Sequence, residues 1–472
     1  MFWCFGTACV VLGLCSTCSP LYPIHIWDDS NCFFTVGKSL WTGKLPYRDL
    51  YEQKGALLYL LHSFAALISY RSFFGIFLVE VVATTAFLWY SVRTIQLFSR
   101  RNILPLVPFL AACVYSSFNF VLGDSVEEFA LPMLTYVIFV TMKHTKEQSM
   151  YRPKELVVIG MMAGAIFWSK FSIVGFFVGW AIGPVVQYAR QRKLQDIFKS
   201  LFWVLEGLTI VTIPILVLYL VMGGISDLLK VYFYTNLVLY PQHVTLIERM
   251  GTLVRLLATT YWYNYAMAIL QILSLFVWGK LGKLFWGQFA CMYIFTAATI
   301  FWGGFGYAYY SFVLWTFAPL GLIPLFSIIP RHLDARASWY SLCLGLSLLI
   351  TGFVSDSTRL IGVPVQQYPQ YTFSTYIKQK PNATVMCYGC LDQGIFTVGG
   401  LVPSTKYFCT IHMDADVEQK TTQLDALEKG LVDFVITAKA MDIPGYHLVL
   451  KQEEPLWRKR HPTLFLYERD GI

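Results

Sequence analysis

Three short runs near the start of this 472-residue sequence bring reactive side chains together: Trp27-Asp28-Asp29-Ser30, Pro46-Tyr47-Arg48-Asp49 and Glu52-Gln53-Lys54-Gly55. Asp28 and Asp29 are adjacent carboxylates. Such a pair suits a general base, a cation ligand or a solvated helix end. Trp27 and Phe33-Phe34 make the setting aromatic and partly dry, which raises a carboxylate's pKa toward that of a working base. Lys54 opens an apolar stretch. There it can hold a phosphate as a point charge, or reach the headgroups for purely structural reasons. Arg48 offers a two-pronged phosphate clamp, or plain positive charge against lipid headgroups.

The elements that must position these residues are membrane helices. The chain is 56% hydrophobic, 17% aromatic and only 14% charged, where a soluble domain carries about 25% charged residues. Charge costs energy wherever it meets hydrocarbon, so a charged cluster at a membrane boundary points to a task. The +8 net charge lies in short basic clusters between apolar segments, as membrane topology requires, and argues against a nucleic-acid partner.

Apolar stretches near span length number about eleven: 2–22, 73–97, 103–121, 126–142, 155–170, 172–189, 201–222, 254–279, 285–302, 308–329 and 338–355. The stretch 56–70 is shorter and meets Arg71 at once, which predicts an interfacial or re-entrant helix. A twelfth span there would invert all that follows. Charge decides against it. One set of loops carries Arg100-Arg101, Lys143 to Lys154, Arg190 to Lys199, Lys280 with Lys283, and Arg331 with Arg336. That side is cytoplasmic by the positive-inside rule. The loops around Gly123-Asp124-Ser125, Gly223 to Asp227, Gly303-Gly304 and Ser355-Asp356 are poor in basic residues. The first loop, 23–72, and the C-terminal tail therefore face outward.

The expected organisation is a membrane domain over 1–356 and an extracytoplasmic α/β domain over 357–472. In the tail, 384–388, 407–411, 432–436, 447–450 and 463–467 predict strands, and 370–380 and 417–429 predict helices. The tail has no nucleotide-binding glycine fingerprint and no nucleophile elbow. Of eleven cysteines, Cys387, Cys390 and Cys409 lie in the tail. A CxxC serves redox, zinc or disulfide roles. With no second CxxC and no nearby His pair, a structural thiol pair or disulfide is the reading favoured for Cys387 and Cys390. Asn382-Ala383-Thr384 is a glycosylation sequon in form.

The acidic pair after the first span, then Gly43-Lys44-Leu45-Pro46-Tyr47-Arg48-Asp49, then Lys54-Gly55-Ala56-Leu57-Leu58-Tyr59, resembles the GT-C glycosyltransferases. The likeness is to the bacterial branch near the protein O-mannosyltransferases and the lipid A aminoarabinose transferase. Asp29 stands where that family has Glu, and Gly55-Ala56 stands where it has two prolines. Asp124, Glu127 and Glu128 occupy the place of its cavity-facing acidic group, and Trp168-Ser169-Lys170-Phe171 resembles its lysine-bearing segment. The loop with Tyr232, Tyr234, Asn236 and Tyr240 resembles its amphipathic loop. Tyr307 and Tyr310 fall where relatives carry His-Tyr. Taken alone, Lys170 also fits a membrane interface, and the tyrosines fit an aromatic belt.

The resemblance implies a polytopic cell-membrane enzyme acting on a polyprenyl-phosphate sugar donor, with a glycan, lipid or protein acceptor. Asp28 would be the base, with Asp29 its close substitute. Lys54 and Arg48 would hold the phosphate. Tyr47, Asp124, Glu127, Glu128, Lys170, Tyr307 and Tyr310 would line the substrates. No cofactor is required; a divalent cation, Mg or Mn, would fall to Asp28 and Asp29. The competing readings are a transporter or lipid flippase, which calls for broken helices and an inverted repeat, and a receptor-like scaffold, which leaves the first-loop cluster without a role.

Overall fold

In the computed structural model, residues 1–241, 245–279, 283–303, 305–328, 336–411, 417–455 and 462–471 are described. Lys280, Gly304 and Arg331, used above to orient the chain, lie outside them. The helices run α1 (Phe2–Cys15), α2 (Asp28–Ser39), α3 (Ala56–Ile68), α4 (Phe74–Gln96), α5 (Val107–Tyr115), α6 (Val126–Glu147), α7 (Pro153–Lys170), α8 (Gly175–Arg190) and α9 (Leu194–Val221). They continue as α10 (Ile225–Leu228), α11 (Leu246–Tyr263), α12 (Tyr265–Gly279), α13 (Lys283–Ile300), α14 (Leu322–Ile328), α15 (Ala337–Val354), α16 (Pro369–Ile377), α17 (Ile395–Gly399) and α18 (Val417–Glu428).

The chain forms two compact units. The first comprises Met1–Cys15, Val79–Ile215 and Gln242–Ser355. Here the helices meet largely through small residues and aromatic rings, with ion pairs joining α6 to α7 at their ends. Gly160 of α7 lies so close to α9 that an added Cβ would stand 2.0 Å from the Val204 carbonyl oxygen. Gly207 of α9 stands in the same relation to the Val157 carbonyl. A 3₁₀ run, Ala308–Phe317, packs along α6, with the Thr135 and Thr316 hydroxyls 2.9 Å apart.

Among the described residues, four helical stretches are long and apolar enough to cross a membrane: Phe74–Gln96, Pro153–Arg190, Leu194–Val221 and Ala337–Val354. A fifth results if Ala308–Phe317 and Pro319–Leu325, bent by 54°, make one span. The sequence leads to about eleven. Pro153–Arg190, one stretch of 38 residues, holds two of the expected spans, 155–170 and 172–189. Phe2–Cys15, Leu104–Tyr115 and Tyr265–Gly279 are apolar where spans are expected but stop at 10–17 residues, short of the about 20 that a full crossing needs.

The second unit comprises Ser16–Leu78, Leu216–Pro241 and Asp356–Ile472. Its sheet has the order β1-β2-β4-β3, with β1 (Val385–Cys387), β2 (Phe434–Thr437), β3 (Tyr446–Glu453) and β4 (Thr463–Arg469). β1 and β2 are parallel, and β4 is antiparallel to both β2 and β3. Met386, Val435, Phe465 and Tyr467 bury the apolar face with Leu427 of α18. The expected strand at 407–411 is absent as a ladder. It makes isolated backbone bonds instead, with Phe408 accepting from the Cys387 N–H at 2.8 Å and Thr410 donating to the Cys390 carbonyl at 2.8 Å.

Gly160→Ala is expected to lower the thermal midpoint of the detergent-purified protein, by roughly 1–3 kcal/mol of overpacking. Gly345→Ala, with open space around it, serves as the control and leaves the midpoint unchanged or raises it.

Candidate active site

In the second unit, the acidic pair opens α2. Trp27 is its extended N-cap, and the Asp28 carboxylate accepts the Asp29 N–H at 3.0 Å. Asn31 locks the entry by donating to the His25 and Trp27 carbonyls at 2.9 and 3.0 Å. Burial lifts the Asp28 carboxyl to about 7, reinforced by the charges of Asp29 and Glu454. This exceeds the pull of the helix N-terminus, which favours the anion. Glu454 is itself pushed up to about 7 by burial, and its carboxylate accepts from Gln370. It also lines an open cleft of about 610 Å³ with Arg359, Gln366, Gln367 and Gln452.

The C-terminal half of α2 is fixed by buried charge. The Lys38 ammonium, with no exposure to solvent, donates to the Phe396 carbonyl at 2.5 Å. Burial pulls its pKa down to about 7 against the opposing charge of Asp392. Asp392 is equally enclosed and accepts from the Thr35 hydroxyl at 2.6 Å and the Gly394 N–H at 2.8 Å. α2 lies directly on α3 at Gly37, where a Cβ would come within 2.5 Å of the His62 Cβ.

Lys54 sits in a turn clamped from three directions. Glu52, almost wholly buried, accepts the Lys54 N–H at 2.9 Å and the Tyr59 hydroxyl. The Tyr47 hydroxyl donates to the Lys54 carbonyl at 2.5 Å. Asn236 donates to the Gln53 carbonyl at 2.7 Å. Asn236 belongs to a π-helical run, Leu229–Leu239, a form that gathers at functional sites. The Lys54 ammonium stands 5.5 Å from the centre of the Phe33 ring. At about 100° per residue, Asp29 lies about 40° from Phe33 around α2 and Asp28 about 140°. Asp29 therefore shares the face next to the lysine, and Asp28 does not.

Two further sequence-derived residues, Arg48 and Tyr47, make structural contacts here. Arg48 forms a two-pronged pair with Asp49 at 3.0 and 2.7 Å and donates to the Met222 carbonyl. Tyr47 is fully buried, at φ +70°, with Tyr59, Tyr219 and Tyr232 around its ring. It builds the Lys54 turn.

In the first unit, Lys170 ends α7 and pairs with Glu127 at 2.5 Å. Its ammonium lies 3.6 Å from the Tyr310 ring centre and 5.0 Å from that of Tyr309. Tyr307 packs edge-on against Tyr310. Glu127, Lys170, Tyr307 and Tyr310, separated in sequence, thus come together. Asp124 is buried at φ +59°. Its N–H is shared between the carboxylates of Glu80 at 2.8 Å and Glu128 at 3.0 Å. Glu80 was not singled out from the sequence. Its signal is a lone carboxylate inside the apolar segment 73–97, a placement that marks function by default.

No protein-family model matches the chain, and no curated protein matches it in sequence. Solved structures do. The crystal structure of ArnT from Cupriavidus metallidurans in the apo state has a TM-score of 0.64 and 8% identity, covering 99% of this chain and 97% of that one. The same protein bound to undecaprenyl phosphate has a TM-score of 0.60 at 10% identity, covering 98% of each chain. An oligosaccharyltransferase from Archaeoglobus fulgidus, complexed with zinc and sulfate, has a TM-score of 0.50 at 14% identity over 92% of this chain and 68% of that one. The likeness is one of fold. Nearly the whole chain shares the fold of the two ArnT structures.

Lys38→Met strands the buried Asp392 charge and is expected to destabilise the protein by about 3–5 kcal/mol. Lys38→Met/Asp392→Asn removes both charges, and a double-mutant cycle on thermal midpoints should return most of that loss.

Proposed function

We propose that the chain is an inverting glycosyltransferase, moving a sugar from a polyprenyl-phosphate donor to an acceptor hydroxyl at the outer face of the cell membrane. The observation that carries this reading is the meeting of Lys54 with the acidic face of α2. A cation for the leaving phosphate and carboxylates for the proton lie on adjacent, rigidly held elements. ArnT, whose fold the chain shares, was solved bound to undecaprenyl phosphate, and a donor of that class needs no nucleotide site.

In a single displacement, the acceptor hydroxyl loses its proton as its oxygen attacks the anomeric carbon, and the phosphate leaves with the electron pair of the broken bond. Base and leaving group lie on opposite sides of that carbon. This division favours Asp28 as base, since it is turned away from the lysine and has a pKa near 7, matched to proton abstraction at neutral pH. Asp29, on the lysine's side, orients the ammonium and sugar. Lys54 stabilises the charge developing on the phosphate. Within the first unit, Glu127, held by Lys170, has its second carboxylate oxygen without a hydrogen-bond partner among the described residues. Arg48 supports the Lys54 loop through Met222 and Asp49.

Asp28 and Asp29 belong to no three-ligand cluster of His, Cys, Asp or Glu among the described residues, so no step is routed through a metal. The transporter reading gains little: one bent helix pair is found among the described helices, with no counterpart in a second repeat.

The test is transfer by the purified protein from a polyprenyl-phosphate sugar to membrane glycolipid extract. Lys54→Ala and Asp28→Asn are expected to reduce turnover at least about 100-fold, and Asp29→Asn to reduce it less. The base acts ionised, so turnover should rise with pH through about 7 in the wild type and lose that rise in Asp28→Asn. Near wild-type turnover in both Lys54→Ala and Asp28→Asn overturns the assignment.

A further inference from the structure

The second unit encloses the cysteines Cys32, Cys387, Cys390 and Cys409, each nearly or fully removed from solvent. The Cys387 and Cys390 thiols interact with one another, as the CxxC spacing implies, and a second, non-local pair lies beside them. The Cys32 and Cys409 sulfurs face one another at 3.6 Å, across 377 residues of sequence. Cys390 directs its thiol to the Ile436 carbonyl at 3.7 Å. No three of these four sulfurs come within 4.8 Å of one another, so the set is not shaped to share a metal ion. It is shaped for pairing.

We propose that Cys32 and Cys409 form a disulfide in the mature protein, a covalent tie between α2 and the tail segment that follows β1. Bond formation needs the sulfurs to close from 3.6 Å to about 2.05 Å, which small side-chain rotations supply. Each thiol gives up a proton and together they give up two electrons to an external disulfide. That oxidant, of the thiol–disulfide exchange class, is released as two thiols. Both sulfurs are buried once folded, so the exchange takes place while the tail is still closing over α2. The consequence for chemistry lies in position. Cys32 is one helical turn beyond Asp28 and on the same face of α2, so the bond fixes the helix that presents the proposed base. A cross-link closing so long a loop constrains the unfolded chain strongly.

The inference rests on the outer-face placement proposed above, since disulfides persist in oxidising compartments. The experiment separates the two. The full-length protein in its cell membrane is acid-quenched, its free thiols are alkylated under denaturing conditions with N-ethylmaleimide, and unreduced peptides are read by mass spectrometry. The expected result is a peptide pair joined through Cys32 and Cys409, with Cys113 and Cys291 alkylated. In parallel, Asp470→Cys, at an exposed position, is probed on intact cells with a membrane-impermeant maleimide. Label on Asp470→Cys with Cys32 and Cys409 both alkylated, or Cys32 joined to another cysteine, overturns the disulfide while leaving the placement intact. No label on Asp470→Cys overturns the placement, and the disulfide with it. As a second readout, tris(carboxyethyl)phosphine should lower the thermal midpoint of the wild type and leave that of Cys32→Ser/Cys409→Ser unmoved. Equal sensitivity in the two counts against the bond.

Discussion

The second unit depends on holding one short helix, α2, by its buried end. Twelve residues of mixed polarity do not make a stable helix in isolation. What secures this one is the enclosure of Lys38, whose ammonium finds the Phe396 carbonyl and the charge of Asp392. Asp392 in turn is satisfied by Thr35 and Gly394. Buried charges are tolerated only when paired and hydrogen-bonded. The geometry of this group is therefore narrow, and α2 has little freedom to slide or rotate. The acidic pair at its other end inherits that rigidity.

The turn bearing Lys54 follows the same logic. Its backbone is held by Glu52, Tyr47 and Asn236, and the ammonium stands near the Phe33 ring. Buried polar groups thus spend their hydrogen bonds on main chain, which fixes the place of the charged tip. Such preorganisation is what electrostatic stabilisation of a leaving group requires, because donors already in place need no rearrangement when charge develops. Asp28 and Asp29 are neighbours in sequence, yet helix geometry gives them different environments. The proposed division of acid–base and electrostatic labour between them rests on that difference.

Much of this was legible in the sequence because it is written locally. Apolar runs pointed to the membrane helices, and strand-like composition pointed to β1 to β4. The Asp28-Asp29 and Glu52 to Gly55 runs marked the elements on which the proposed chemistry rests. The fold is shared with ArnT, in line with the resemblance read from the motifs. What stayed hidden was pairing across long separations. Lys38 meets Phe396 and Cys32 meets Cys409 with no periodicity to announce either. The pairing of Arg48 with its neighbour Asp49 was also not read from the sequence, where Asp49 stood as part of a motif. The expected strand at 407–411 has strand-like composition, and only its neighbours determine that it makes isolated bonds. Asp28 and Asp29 could not be told apart until Phe33 and Lys54 fixed which face of the helix mattered.

The central claim is that Lys54 receives the phosphate of a lipid-linked donor. An electron cryomicroscopy or crystal structure of this protein with undecaprenyl phosphate tests it directly. A phosphate oxygen within about 3 Å of the Lys54 ammonium is the predicted result. A phosphate held by other residues, with no oxygen near the Lys54 ammonium, contradicts the account.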